Sequence, residues 1–209
     1  NFVAEDFITE TRDANEEIIA AFSLDPRSAG DVQEDPKRPE YAPPNHAVAV
    51  TSDGYTMRFG LQTFVEPSTR NGRRFARLGS GAEIVSVLPI HGDEVIIVAT
   101  VQGRALLCKS EEVNYLEGSG RGTILIKLSN EDRLLGFIAA VASSDALTVL
   151  TNRGAKKVIS RGRYGVTSRA GRGRELLKNG TFAQIVPTEV MAPELLESQE
   201  AAKSKETAS

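Results

Sequence analysis

The strongest constraint on how this chain can fold is an internal period. Three apolar, β-rich runs end in the same punctuation, Thr-x-x-Gly: HAVAVTSDG at 46–54, VIIVATVQG at 95–103 and ALTVLTNRG at 146–154. Their closing glycines, Gly54, Gly103 and Gly154, lie 49 and 51 residues apart. Another strand-like run follows each one: YTMRF at 55–59, RALLCK at 104–109 and AKKVIS at 155–160. Alternation and β-branched content predict paired strands, and glycine supplies the positive φ that a tight hairpin needs. Further strands are predicted at EIVSVL 83–88, TILIKL 123–128, RLLGFIAAV 133–141 and TFAQIVP 181–187.

A second marker keeps the same period. LEGSGRG at 116–122 and TSRAGRG at 167–173 end on Gly122 and Gly173, each 19 residues after its hairpin glycine. In the first unit the matching stretch is STRNGRR at 68–74, displaced by about one residue. Four strands in about 50 residues, repeated and with almost no helical periodicity, predict an all-β fold of propeller blades. A single such sheet cannot bury both faces, whereas stacked neighbours form a continuous core. The expected blades are 46–94, 95–145 and 146–187. Residues 1–24, with EEIIAAFSL at 16–24, are expected to supply strands of a partial blade. Residues 25–45 hold five of the nine prolines and read as an acidic insertion or linker. The acidic tail 188–209 is expected to be disordered.

Charge is distributed unevenly along these units. The net value of −3 is the sum of −7 over 1–45, 0 over 46–94, −1 over 95–145, +8 over 146–187 and −3 over the tail. A block of +8 with one acid, Glu175, inside an acidic chain creates a local field that recruits polyanions. The other reading of the block is a solvated basic face, or a surface that docks an acidic protein partner on a propeller scaffold. Glycine lets a backbone approach a phosphate closely, and arginine offers it planar paired donors. The other reading of glycines 171 and 173 is a turn that closes a strand-swapping loop between blades.

Other chemistry finds little support. GSGRGT at 118–123 lacks the Gly-x-x-x-x-Gly-Lys-Ser/Thr spacing of a nucleotide loop. His46, His91 and the single cysteine, Cys108, do not make a zinc set, and Asp93 and Asp132 read as turn formers. No Ser-His-Asp order with its supporting signatures appears. The longest apolar run, LLGFIAAVA at 134–142, is half of the roughly 18 residues a membrane helix requires. The chain opens on Asn1 rather than methionine and is expected to belong to something longer.

With these residues in view, the chain resembles the C-terminal domain of the DNA gyrase A protein and its topoisomerase IV counterpart. The resemblance is carried best by 122–173 and more weakly by the rest of 46–187. It implies a β-pinwheel that binds and bends duplex DNA around a basic rim, without catalytic residues of its own. Gyrases carry a box of the form Gln-Arg-Arg-Gly-Gly-Lys-Gly. TSRAGRG follows it at Arg169, Gly171, Arg172 and Gly173 and departs at Thr167, Ser168 and Ala170, so both the gyrase and the topoisomerase IV readings stay open. The expected phosphate contacts are Lys156, Lys157, Arg161, Arg163, Arg169, Gly171, Arg172, Gly173, Arg174 and Lys178, with Arg121 from the preceding unit. Arg163-Tyr164 looks like the Arg-Tyr pair of type IIA cleavage sites, but it falls at the place of Phe64 in the first unit and reads as blade-edge packing. The resemblance further implies a monomeric fragment in the bacterial cytoplasm, at the nucleoid. Its partners would be double-stranded DNA, an ATPase B protein and the remainder of the A protein. ATP and magnesium would be used on other domains, and no cofactor is expected here.

Overall fold

The structure, a computed structural model, describes residues 18–21, 46–66 and 72–187. The expected partial blade (apart from 18–21), the proline-rich segment, most of STRNGRR and the acidic tail lie outside the described residues. No described helix is long and apolar enough to cross a membrane.

Among the described residues, twelve strands form three antiparallel-rich sheets. The first unit contributes β1 (His46–Thr51), β2 (Tyr55–Gly60) and β3 (Ile84–Ile90). The second contributes β4 (Val95–Thr100), β5 (Arg104–Lys109), the short β6 (Tyr115–Leu116) and β7 (Thr123–Ile124), and β8 (Leu134–Ala140). The third contributes β9 (Ala146–Thr151), β10 (Lys156–Ser160), the short β11 (Arg174–Glu175) and β12 (Phe182–Val186).

The repeated Thr-x-x-Gly closes each hairpin in the same way. The glycine N–H bonds the threonine carbonyl at 3.0, 3.1 and 2.9 Å, with φ near +83°, +79° and +78° at Gly54, Gly103 and Gly154. The threonine hydroxyl then accepts the next N–H, from Tyr55, Arg104 and Ala155, at 3.0, 3.2 and 3.0 Å. Threonine is thus needed for its oxygen as well as for its β-branch.

Sheets one and two are each completed by the unit that follows. Sheet one runs β3-β1-β2, and β2 takes β6 and β7 from the second unit; sheet two runs β11-β5-β4-β8, with β11 coming from the third. The predicted strand TILIKL shortens to Thr123–Ile124 because the chain changes partners there. Leu125 and Ile126 donate to the Gly54 carbonyl, and Lys127 donates to that of Gly171 at 2.8 Å. Sheet three, β10-β9-β12, has β10 at its outer edge among the described residues.

Alternating strand residues build the seams. Val48 and Val50 meet Ile96, Val98, Leu106 and Cys108 between blades one and two. Ile97, Ala99 and Leu107 meet Leu147, Val149, Ile159 and Phe182 between blades two and three. A third cluster, with Met57 and Phe59, covers the far face of blade one, and Ala20 packs against it. Cys108 is fully buried in the first seam, and burial with the nearby Glu112 carboxylate pushes its thiol up to about 12.

Candidate nucleic-acid interface

The two Gly/Arg loops sit in equivalent places on successive blades. Gly120 bridges Ala76 and accepts from the Arg77 N–H at 2.9 Å; Gly171 bridges Ile126 and accepts from the Lys127 N–H at 2.8 Å. Each loop then ends on a positive-φ glycine pressed against the neighbouring strand. A Cβ at Gly122 would lie 2.2 Å from the Thr56 carbonyl oxygen, and one at Gly173 would lie 2.6 Å from that of Ala105. The positive φ inside TSRAGRG falls on Ala170, at +62°, and on Gly173, at +66°. Gly171 has ordinary van der Waals room, its nearest neighbour being Leu106 Cδ1 at 3.6 Å.

The arginines of these loops have different fates. Arg169 turns inward: Nε donates to the Glu112 carbonyl at 2.7 Å, a terminal NH2 group reaches the Ile124 carbonyl at 3.3 Å, and its backbone N–H meets the Glu112 carboxylate at 3.2 Å. Its guanidinium therefore ties the third unit's loop to blades one and two. Arg121 is held by the Asp53 carboxylate at 3.3 Å and lies over the Tyr55 ring, 4.2 Å from its centroid. Arg172 is exposed. It lines an open cleft of about 640 Å³ that also includes Arg104, Lys127, Asp53 and Ser129.

Arg104 holds this loop in place, donating to the carbonyls of Arg172 and Gly173 at 2.6 and 2.9 Å and pairing with Glu175 at 3.6 Å. Arg104 and Lys127 were not among the residues expected from sequence. The available signal was positional: Arg104 follows its hairpin glycine as Tyr55 follows Gly54, and both residues grip the incoming loop.

The remaining expected cations follow one path. Lys156 is exposed and Lys157 half-buried on β10, the outer edge of blade three. Exposed Arg161 and Arg163 lie in the turn beyond it, Arg161 donating to the Val141 carbonyl at 3.1 Å. Arg174 lies on β11, the outer edge of blade two, over the Tyr164 ring at 5.6 Å, and Lys178 is exposed just after it. Tyr164 packs against the seam between blades two and three, as Phe64 packs against the cluster on blade one.

Two acids that sequence reading treated as turn formers or passed over have structural work. Asp132 accepts from the Gln102 and Arg133 N–H groups, both at 2.9 Å, joining the blade-two hairpin to the loop before β8. Glu94, fully buried, accepts from the N–H groups of His91 and Gly92, the latter at 2.8 Å. Burial opposes its ionisation, but these backbone N–H groups outweigh it and hold the carboxyl below the usual range. Among the described residues no group of histidines, cysteines and acids could hold a metal ion.

The family model for the DNA gyrase C-terminal domain, a β-propeller, matches residues 45–91 and 94–140, one repeat on each of the first two units. Blades one and two are each similar to a repeat of the DNA gyrase C-terminal family. The gyrase A protein of Aminobacterium colombiense is 32% identical over 91 residues, covering 44% of this chain and 11% of that protein. The topoisomerase 4 A protein of Bacillus subtilis is 28% identical over 144 residues, covering 67% of this chain and 18% of that protein. The chain thus spans less than a fifth of the length of these relatives. A solved C-terminal domain of DNA topoisomerase IV superposes with a TM-score of 0.60 at 21% identity, over 69% of this chain and 46% of that one. A DNA gyrase A C-terminal domain superposes at 0.57 and 18% identity, over 69% and 49%. These superpositions carry the gyrase-type propeller fold beyond the two blades matched by the family model.

Proposed function

We propose that this chain is a non-catalytic, duplex-DNA-binding segment of a type IIA topoisomerase A protein, acting beside the rest of that protein and an ATPase B protein. ATP and magnesium would serve those other domains. One observation carries the DNA reading. The +8 block runs from the outer edge of blade three, along one connecting loop, to the outer edge of blade two, so its exposed cations span two neighbouring blades. An edge lined this way suits the regularly spaced phosphates of a duplex, and such contacts contribute affinity without reading bases. The phosphate contacts on this reading are Lys156, Lys157, Arg161, Arg163, Arg172, Arg174 and Lys178. Arg169 serves the fold instead, because carbonyl oxygens take up its guanidinium.

The test is a salt titration of the chain on linear duplex DNA. Changing Arg172, Arg174 and Lys178 together to alanine should lower the log–log salt slope by about 2–3, at roughly 0.9 per lost phosphate contact. A folded triple variant with the parent's slope would remove this edge from DNA binding. Tight binding of an acidic protein with no salt-dependent DNA binding would favour a propeller scaffold.

A further inference from the structure

The residue before each hairpin glycine changes charge along the chain: Asp53 in blade one, Gln102 in blade two and Arg153 in blade three. In blades one and two it lies beside the hairpin glycine whose carbonyl receives the incoming loop of the next unit, through the Leu125 and Leu176 N–H groups. In blade one that loop brings Arg121, and Asp53 captures it at 3.3 Å while Tyr55 stacks against its guanidinium. In blade two the equivalent position is the neutral Gln102 and the equivalent loop arginine is Arg172, with whose guanidinium no acid pairs among the described residues. Two loops of one design therefore present one neutralised arginine and one open arginine.

Resting on the DNA-binding reading, we propose that Asp53 limits the DNA track. It withholds Arg121 from phosphate, so that a bound duplex is gripped over blades two and three and released at blade one. Asp53 is well placed for this: its carboxylate also meets the Thr51 hydroxyl inside the hairpin, which fixes it toward the loop. Both partners remain partly exposed, with side chains 31% and 55% accessible, so the pair is a weak, screened latch that a phosphate could replace once the acid is gone.

The experiment is a double-mutant cycle on the whole chain, read as duplex-DNA affinity and salt slope. Asp53→Asn keeps an acceptor for Thr51 and removes the charge. It should tighten binding several-fold at low salt and raise the slope by about one, the value for one added phosphate contact. Arg121→Ala in the parent background should leave the slope unchanged, whereas in the Asp53→Asn background it should abolish the gain. That coupling separates a released arginine from a general change in net charge, which would act equally in both backgrounds. An Asp53→Asn variant with the parent's slope would overturn the proposal, as would a drop of about one from Arg121→Ala alone. Absence of salt-dependent binding by the parent chain would overturn the DNA reading itself, and this inference with it.

Discussion

Arg169 and Glu112 are 57 positions apart and meet twice: the arginine Nε donates to the glutamate carbonyl at 2.7 Å, and the arginine backbone N–H donates to the glutamate carboxylate at 3.2 Å. With the third contact, to the Ile124 carbonyl, one side chain joins the TSRAGRG loop to the segment that completes blade one. An arginine that resembles a DNA contact in the sequence acts in the fold as a clamp between units.

Arg169→Ala should accordingly reduce stability and leave the DNA salt slope alone. Losing hydrogen bonds from a charged donor, and leaving half-buried carbonyls unpaired, costs about 1.5–3 kcal/mol. For a protein of this size, that corresponds to a fall in thermal midpoint of roughly 4–10 °C. Circular dichroism melts on Arg169→Ala and Arg172→Ala separate the two roles, since the exposed Arg172 should shift the midpoint little. A stable Arg169→Ala variant with a reduced salt slope would return Arg169 to the DNA-binding set.

The two glycines of the same loop should differ sharply. Gly173→Ala places a Cβ 2.6 Å from the Ala105 carbonyl oxygen at a φ of +66°, so both backbone strain and a clash with main chain oppose it. The expected cost is about 2–3 kcal/mol. Gly171→Ala meets only the far end of Leu106 at 3.6 Å and should stay within about 0.5 kcal/mol of the parent. Urea unfolding of the pair measures this directly, and equal costs would mean that the loop does not close on blade two through Gly173.

Acid should loosen the turn that Glu94 holds. Its carboxyl is held below the ordinary glutamate range by the N–H groups of His91 and Gly92, against the opposing effect of burial. Because the folded-state pKa lies below the unfolded one, the stabilisation is complete above that ordinary range. It is lost as pH falls through that range toward the folded value. Glu94→Gln should cost about 1–2 kcal/mol at neutral pH, from weakened charge-assisted bonds, and should flatten the loss of stability between neutral and acidic pH. Chemical unfolding of both proteins across that span checks it. An unchanged pH profile would show that another carboxylate governs the acid limb.

Much of the architecture is local and was legible in sequence. Thr-x-x-Gly specifies its hairpin within five residues, because the threonine carbonyl and hydroxyl and the glycine φ are all satisfied inside the turn. The repeat of that turn at 49 and 51 residues fixes three similar units, and strand alternation gives two apolar faces each to blades one and two and one to blade three. Tertiary structure alone decided where the swapped pieces go. Thr123–Ile124 pairs with β2 and Arg174–Glu175 with β5, across about 70 residues, where no local periodicity carries information. It also decided what each arginine does. Arg121, Arg169 and Arg172 sit in similar glycine-rich sequence, yet one meets a carboxylate, one meets two carbonyls and one faces the open cleft. A guanidinium binds whatever acceptors stand opposite it, and those acceptors come from the neighbouring blade.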